Sequence, residues 1–434
     1  MAGRPRVAII GTGMAALGAA NHLRSEGIRP VLFDQNSYPG GHTASHRVGD
    51  FIFDEGPHVS FTKDERIKAL LLRNVEGQYE SVDARIDNHW QGRRITHPVI
   101  TNLHGLPPGL VTRVIADFVA VRQEPPPVGN YEDWLVASYG RTYAETFPMQ
   151  YTRKYHTTEA RNLSTEWVGP RLYQARLEEV LTGALDPNPP NIHYVQDYRY
   201  PKRNGFVEFL RKFHEGEDIQ LGHRLTGVDP GNRELRFEGG NRARYDRLIS
   251  SVPLPDLIPM IDGSPPDVVA AAATLACTTV VLVNLGVRRP DVSPVSWTYF
   301  YEDEFPFSRV SFPRNMSSHT CPEGTSSIQS ELYFSRKYRP LEVSAESLIE
   351  PTISGLTRAG VLRPDDEILV RQAQRVEYAN IIFDLDRAAA LATVHGYLDE
   401  LGIGYCGRYG EWGYLWTDEA FLSGERAAAR SLGR

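Results

Sequence analysis

The chain is poor in cysteine. Its three residues, Cys277, Cys321 and Cys406, lie far apart and show no C-x-x-C spacing. That excludes a zinc site and a disulfide framework, and it suits a reducing compartment, so no metal is expected. Long hydrophobic runs are also missing: every apolar stretch is interrupted well short of the ~18 residues that a membrane span needs. Nor is there an excess of charge of one sign. With 47 basic and 54 acidic residues the formal net charge is −7, which gives no global field favouring nucleic acid or an anionic membrane. The basic clusters Arg4-Pro5-Arg6 and Arg242-Ala243-Arg244 are short and read as solvated surface. No internal repeat or low-complexity tract stands out, and the first apolar strand begins at Val7, so no signal peptide is expected. The expectation is a soluble, cytoplasmic protein whose 434 residues fold as two or more lobes around a large core.

What is present begins at residue 7. Val7 to Ile10 reads as a buried strand, Gly11-Thr12-Gly13 as a tight turn, the Ala-rich stretch after it as a helix, and the run ending at Asp34 as a second strand. Each part suits a dinucleotide. Gly11 allows the turn, Gly13 lets the backbone approach a diphosphate, Ala16 lets the helix pack closely on the sheet, and Asp34 can accept from a ribose hydroxyl. The helix N-terminus then offers unpaired N–H groups to the phosphates.

The following segment points to FAD. Gly40-Gly41-His42 permits a second close backbone approach, as an extended cofactor needs. Phe51 to Phe53 reads as a short strand that enters the turn Asp54-Glu55-Gly56-Pro57-His58. Much later, Leu221 to Val228 and Glu234 to Phe237 read as strands. The run Tyr245 to Pro253 then reads as a strand returning to the nucleotide-binding sheet.

Taken together, the G-x-G-x-x-A helix, the Gly-Gly pair, the D-x-G-P-H turn and the "YDRLISSVP" strand resemble the FAD-dependent amine oxidase and protoporphyrinogen oxidase superfamily. Several segments are similar to UDP-galactopyranose mutase-like flavoproteins: "EGPHVSF" (55–61), "NHWQGRRITHPVITNLHGLP" (88–107), "YEDWLVASYGRTYAETFPMQYTRKYH" (131–156), "YFYEDEFPFSRVSFP" (299–313) and "GRYGEWGY" (407–414). The resemblance covers nearly the whole chain. It implies an α/β fold with a Rossmann-like FAD-binding domain in discontinuous segments, residues 1–75, 197–262 and 394–434. A helical insertion is expected over 76–196 and a mixed-sheet substrate domain over 263–393. Within the insertion, the spacing predicts helices over Leu110–Arg122 and Tyr131–Glu145. A final helix is expected over Ala420–Leu432, with Asp418 just ahead of it.

The resemblance also implies a site. His58 is expected beside the flavin, donating to N5 or O4 or shuttling a proton. His42 stands where many relatives carry a basic residue, so a phosphate or ribityl contact is expected, and Val228 is assigned to the cofactor as well. The N-terminus of the final helix, near Asp418, is expected to face the flavin pyrimidine. Arg309 and Arg408 match positions that contact a substrate diphosphate or the flavin, and Arg199 is a third candidate for an anion. Tyr299, Tyr301, Tyr378 and Tyr414 are candidate substrate contacts, able to bond phosphates or stack on sugars and bases.

Two segments depart from the mutase pattern, Val99-Ile100-Thr101-Asn102 and Leu415-Trp416-Thr417-Asp418. They leave FAD binding intact and point to an altered substrate or reaction. Two reactions therefore stay open: redox-neutral mutase chemistry on a nucleotide sugar, and hydride transfer from an amine or another small organic substrate. The partner in either case is a small molecule, expected to be anionic. No second nucleotide motif of comparable quality is present, so any NAD(P)H that reduces the flavin would bind only transiently.

Overall fold

A computed structural model describes residues 4–169 and 172–433. Its first layer is a five-stranded sheet in the order Ile403–Tyr405, Arg247–Ser250, Val7–Ile10, Val31–Phe33, Asp218–Gln220. Every pairing in it is parallel, with Ile9 opposite Leu32 on one side and Ile249 on the other. Parallel strands are buried on both faces and need crossover connections, which explains the continuous apolar runs and the distant origin of the strands. Between Val7–Ile10 and Val31–Phe33 the crossover is the helix Met14–Ser25.

That helix packs against the last helix, Thr417–Ser431, through glycine. A Cβ on Gly424 would stand 1.8 Å from the Ala15 carbonyl oxygen, and one on Gly18 would stand 2.0 Å from that of Phe421. The two backbones touch, and only glycine allows the approach. Around them Leu17, Ala19, Phe421, Ala427 and Ala428 are buried in one cluster.

The second layer is a seven-stranded sheet in the order Ile368–Val376, Thr278–Val287, Ser326–Ser335, Arg309–Ser311, Trp297–Phe300, Ile86–Trp90, Arg93–Thr96. It is antiparallel except where Trp297–Phe300 runs parallel to Ile86–Trp90. Here the structure differs from the expected helical insertion. Residues 86–96 form a hairpin that extends the substrate sheet, with Trp90 opposite Arg93 across a two-residue turn. Gln91 and Gly92 have φ of 48° and 72°, the left-handed pair that matches the twist of a tight hairpin.

The helix expected over Tyr131–Glu145 is broken into Tyr131–Tyr139 and Arg141–Thr146. The break is Gly140, at φ 82°, where a Cβ would lie 2.6 Å from that of Asp117. Close approach of the helix Pro108–Gln123 sets the kink. The final helix starts three residues earlier than expected, so Asp418 lies within its first turn rather than ahead of it. The strand expected from Leu221 begins only at Leu225. Among the described residues no helix is long and apolar enough to cross a membrane.

Candidate active site

The glycines at the end of the first strand build a cradle. Gly11 sits at φ 117°, and a Cβ there would stand 2.1 Å from the Ser251 hydroxyl oxygen, just past the strand Arg247–Ser250. Gly13 starts the helix Met14–Ser25, and no side chain caps it, so the first-turn N–H groups are open to an anion. Facing it, a Cβ on Gly41 would stand 3.3 Å from Gly13 Cα, and one on Gly13 would stand 3.4 Å from the Gly40 carbonyl oxygen. Two glycine stretches thus meet with no side chain between them, a shape suited to a dinucleotide diphosphate.

Asp34 is buried and ties these pieces together. Its carboxylate accepts from the Thr12 hydroxyl at 2.6 Å and from the Asn36 N–H at 2.9 Å. The Thr12 hydroxyl accepts in turn from the Gly40 N–H at 3.1 Å. Val228 is fully buried in the apolar cluster that contains Phe33, and its carbonyl accepts from the Asp262 N–H at 2.9 Å.

His58 follows the turn at Gly56, which has φ 92°. Its Nδ1–H donates to the Gly56 carbonyl at 2.8 Å, and burial pushes the imidazole down to about 4. The ring is therefore neutral near pH 7 and keeps a lone pair on Nε2. That nitrogen is an acceptor, and with Nδ1–H committed to Gly56 it is the atom left to meet a ligand or take up a proton. His42 lies nearby, edge-on to Tyr409 at 5.4 Å, and its Nδ1 is 3.2 Å from Glu55.

The seven-stranded sheet sets out a row of side chains by register alone. Asn88 is opposite Tyr299, Tyr299 opposite Arg309, and Arg309 opposite Glu331, on four adjacent strands. Partners at one register position share a face, so the row forms one surface. Arg309 Nε donates to Glu331 at 2.7 Å, and the Tyr333 hydroxyl donates to the same carboxylate. The Arg309 side chain is 22 % exposed and that of Glu331 1 %. Among the described residues nothing bonds the two terminal nitrogens of Arg309. The carboxylate and the surrounding phenols hold its charge firmly, raising its pKa.

The helix Pro148–Tyr155 lays Tyr151 and Tyr155 over this surface, one turn apart. Tyr151 is 5.4 Å from Tyr299, Tyr155 is 4.8 Å from Tyr333, and the hydroxyls of Tyr155 and Tyr414 are 3.0 Å apart. Beyond Tyr155 the ring of His156 is followed by that of Trp167 at 5.1 Å. The buried atoms His156 Nδ1 and Trp167 Nε1 have no hydrogen-bond partner among the described residues.

The other candidates are distributed differently. Arg408 spends its donors on the backbone: Nε and Nη2 on the Leu415 carbonyl, and Nη1 on the Ala379 carbonyl and Asn380 Oδ1. Its charge lies over the Tyr414 ring at 5.2 Å, and it locks the closing turn. Arg199 pairs with Asp197 at 2.9 Å, and its backbone brackets Ser60 just after the His58 turn. Tyr301 donates to Asn88 Oδ1 at 2.8 Å, at the edge of the row. Tyr378 lies apart and donates to Asp256 at 2.7 Å. In the first turn of the final helix Glu419, rather than Asp418, accepts from the Trp416 N–H at 2.8 Å. Glu331, Tyr151, Tyr155 and Tyr333 were not singled out by the sequence reading. The i, i+4 spacing of Tyr151 and Tyr155 would have signalled that pair, whereas Glu331 and Tyr333 lie on the strand paired with Arg309 and carry no local signal.

A glycine cradle shaped for a diphosphate at the end of a parallel sheet marks a dinucleotide-dependent protein. Residues 14–432 match the sequence model of the family described as flavin containing amine oxidoreductase, and the chain belongs to that family. It is a flavin oxidoreductase-family enzyme, and its cofactor is FAD. The fold is similar to that of reduced UDP-galactopyranose mutase, with a TM-score of 0.92 and 26% identity over 99% of this chain and 96% of that one. It is also similar to a putative protoporphyrinogen oxidase from Exiguobacterium sp. 255-15, with a TM-score of 0.76 and 14% identity over 100% of both chains. A curated relative, the 1-hydroxycarotenoid 3,4-desaturase of Flavobacterium sp. (strain P99-3), is 33% identical over 84 residues. That match spans 19% of this chain and 17% of the desaturase.

Proposed function

We propose that the chain is an FAD-dependent enzyme acting on a nucleotide sugar or a similar anionic metabolite, in the manner of UDP-galactopyranose mutase. In this reading the parallel sheet is a Rossmann-like FAD lobe and the seven-stranded sheet roofs the substrate. Bound flavin supplies N5 as the reacting centre. Gly11, Gly13, Ala16, Asp34, Gly40 and Gly41 would hold the dinucleotide, with His42 at its diphosphate. His58 offers a fixed acceptor from the Gly56 turn.

Arg309 is the observation that carries the reading. It is a guanidinium held at Nε by Glu331, with no partner for its terminal amino groups among the described residues. Such a fork suits two oxygens of a phosphate. The unpartnered ring nitrogens of His156 and Trp167, set among Tyr155 and Tyr414, suit the polar edge of a stacked ring. A guanidinium fork offers donors only, so it suits phosphate oxygens and gives a protonated amine no acceptor.

The second reading is hydride transfer from an amine or another small organic substrate. The family match and the tyrosine walls favour it. Turnover of nucleotide sugars by the holoenzyme, measured with and without dithionite beside an oxygen electrode, separates the two. Turnover that needs reduced flavin and consumes no oxygen supports the mutase reading. Oxygen-linked turnover starting from oxidised flavin refutes it.

A further inference from the structure

We propose that Glu55 is a positioning residue that holds His42 as an imidazolium against the FAD diphosphate, so that cofactor binding takes up a proton. The proposal rests on the family's cofactor and is independent of the substrate. Glu55 directly follows the strand Phe51–Asp54 and its side chain meets that of His42, next to Gly40-Gly41. Its side chain is 9 % exposed, and four groups converge on it. Oε2 faces His42 Nδ1 at 3.2 Å. Oε1 faces His46 Nε2 at 2.8 Å, the Tyr38 hydroxyl at 2.9 Å and Gln374 Nε2 at 3.2 Å.

These donors bring Glu55 down to about 2, so it is an acceptor at any working pH. Each imidazole must therefore direct an N–H at it. For His42 this fixes the proton on Nδ1, and a neutral ring would then turn a lone pair outward from Nε2. A lone pair repels a phosphate oxygen. Only the doubly protonated ring can both hold Glu55 and donate outward.

His42 directly follows the glycine pair that touches Gly13 at the start of the helix Met14–Ser25, and 38 % of its side chain is exposed. The other titratable or charged groups facing this cluster are His46, Tyr38, Asp34, Tyr409, His58 and Arg408. One carboxylate serves two imidazoles beside a buried arginine. A second positive charge there is therefore favoured chiefly when an anion arrives, which is the origin of the linkage.

The test is the FAD dissociation constant of the apoenzyme between pH 5.5 and 9, read by flavin fluorescence. Proton uptake is read by calorimetry in buffers of different ionisation enthalpy. Wild type should weaken about tenfold per pH unit at the alkaline end, as one linked proton requires. His42→Arg should bind with no such slope, because its charge is permanent. His42→Gln should bind weakly and without slope. Glu55→Gln should lose affinity and move the onset of the pH dependence to lower pH. A pH-independent wild type, or a slope retained in His42→Arg, would overturn the proposal. Loss of affinity in Glu55→Gln with the wild-type pH profile intact would make Glu55 merely structural and would also overturn it.

Discussion

Replacing Arg309 by lysine keeps the charge and removes the fork. In the structure one nitrogen, Nε, is committed to Glu331 at 2.7 Å, and the two terminal groups are left for a ligand. Lysine has a single nitrogen. If it stays on the carboxylate, the ligand loses two charge-assisted bonds. If it turns to the ligand, a carboxylate that is 1 % exposed keeps only Tyr333. Charge-assisted hydrogen bonds contribute about 1.5–3 kcal/mol each, and some of that is recovered by the retained charge. The expected net loss is about 2–3 kcal/mol, a factor of about 30–150 in the dissociation constant of UDP or in kcat/KM. FAD content should be unchanged, because no cradle residue is altered. Titration of the dithionite-reduced holoenzyme with UDP, followed by flavin or tryptophan fluorescence, measures the effect. An Arg309→Lys variant with full FAD and an unchanged UDP dissociation constant would refute the assignment of Arg309 to the anion.

Three further outcomes follow from the geometry. Gly424→Ala should destabilise the protein, because overpacking of about 1–3 kcal/mol against the Ala15 backbone outweighs the helix-propensity gain of up to about 1 kcal/mol. Gly396→Ala, in the helix Arg387–Glu400 with nothing near its Cβ, should show that gain alone, and thermal melts of the pair separate the two effects. Burial raises Asp54 from 3.8 to about 6, against bonds from Ser45, Tyr200 and the Phe206 N–H. Its stabilising protonated form is fully effective below the unfolded value and is lost as pH rises through about 6. In urea unfolding Asp54→Asn should therefore gain on wild type by about 2–3 kcal/mol between pH 4 and pH 7. His58→Ala should shift the flavin midpoint potential by about 20 mV, the equivalent of one hydrogen bond of about 1 kcal/mol in a two-electron couple. An unmoved potential would separate His58 from the flavin.

The βαβ unit was legible because each of its constraints is local. A glycine at positive φ, an uncapped helix start and an acid at the next strand end each leave a mark on the sequence. The returning strand at Arg247–Ser250 was legible from its buried Leu248-Ile249 pair and the Pro253 that follows. The hairpin at residues 86–96 was not, because one face of each strand is polar and its alternation is mixed with Arg, Asn and His. Its only clear signal was Gln91-Gly92. Arg408 shows a different limit. Its type and position were read from a motif, but the carbonyls of Leu415 and Ala379 that engage it come from tertiary folding. Glu331 and Tyr333 were hidden for the converse reason: their meaning lies in the strand beside them, and pairing register is absent from a single sequence.

The measurement that most directly tests an anion site centred on Arg309 is a paired titration of the holoenzyme at pH 7.5, with UDP and with a small primary amine, on wild type and Arg309→Ala. UDP should bind wild type and weaken about 100-fold in the variant, a loss of about 3 kcal/mol, while the amine binds neither well. Tight amine binding to wild type, or UDP affinity indifferent to Arg309, would contradict the account.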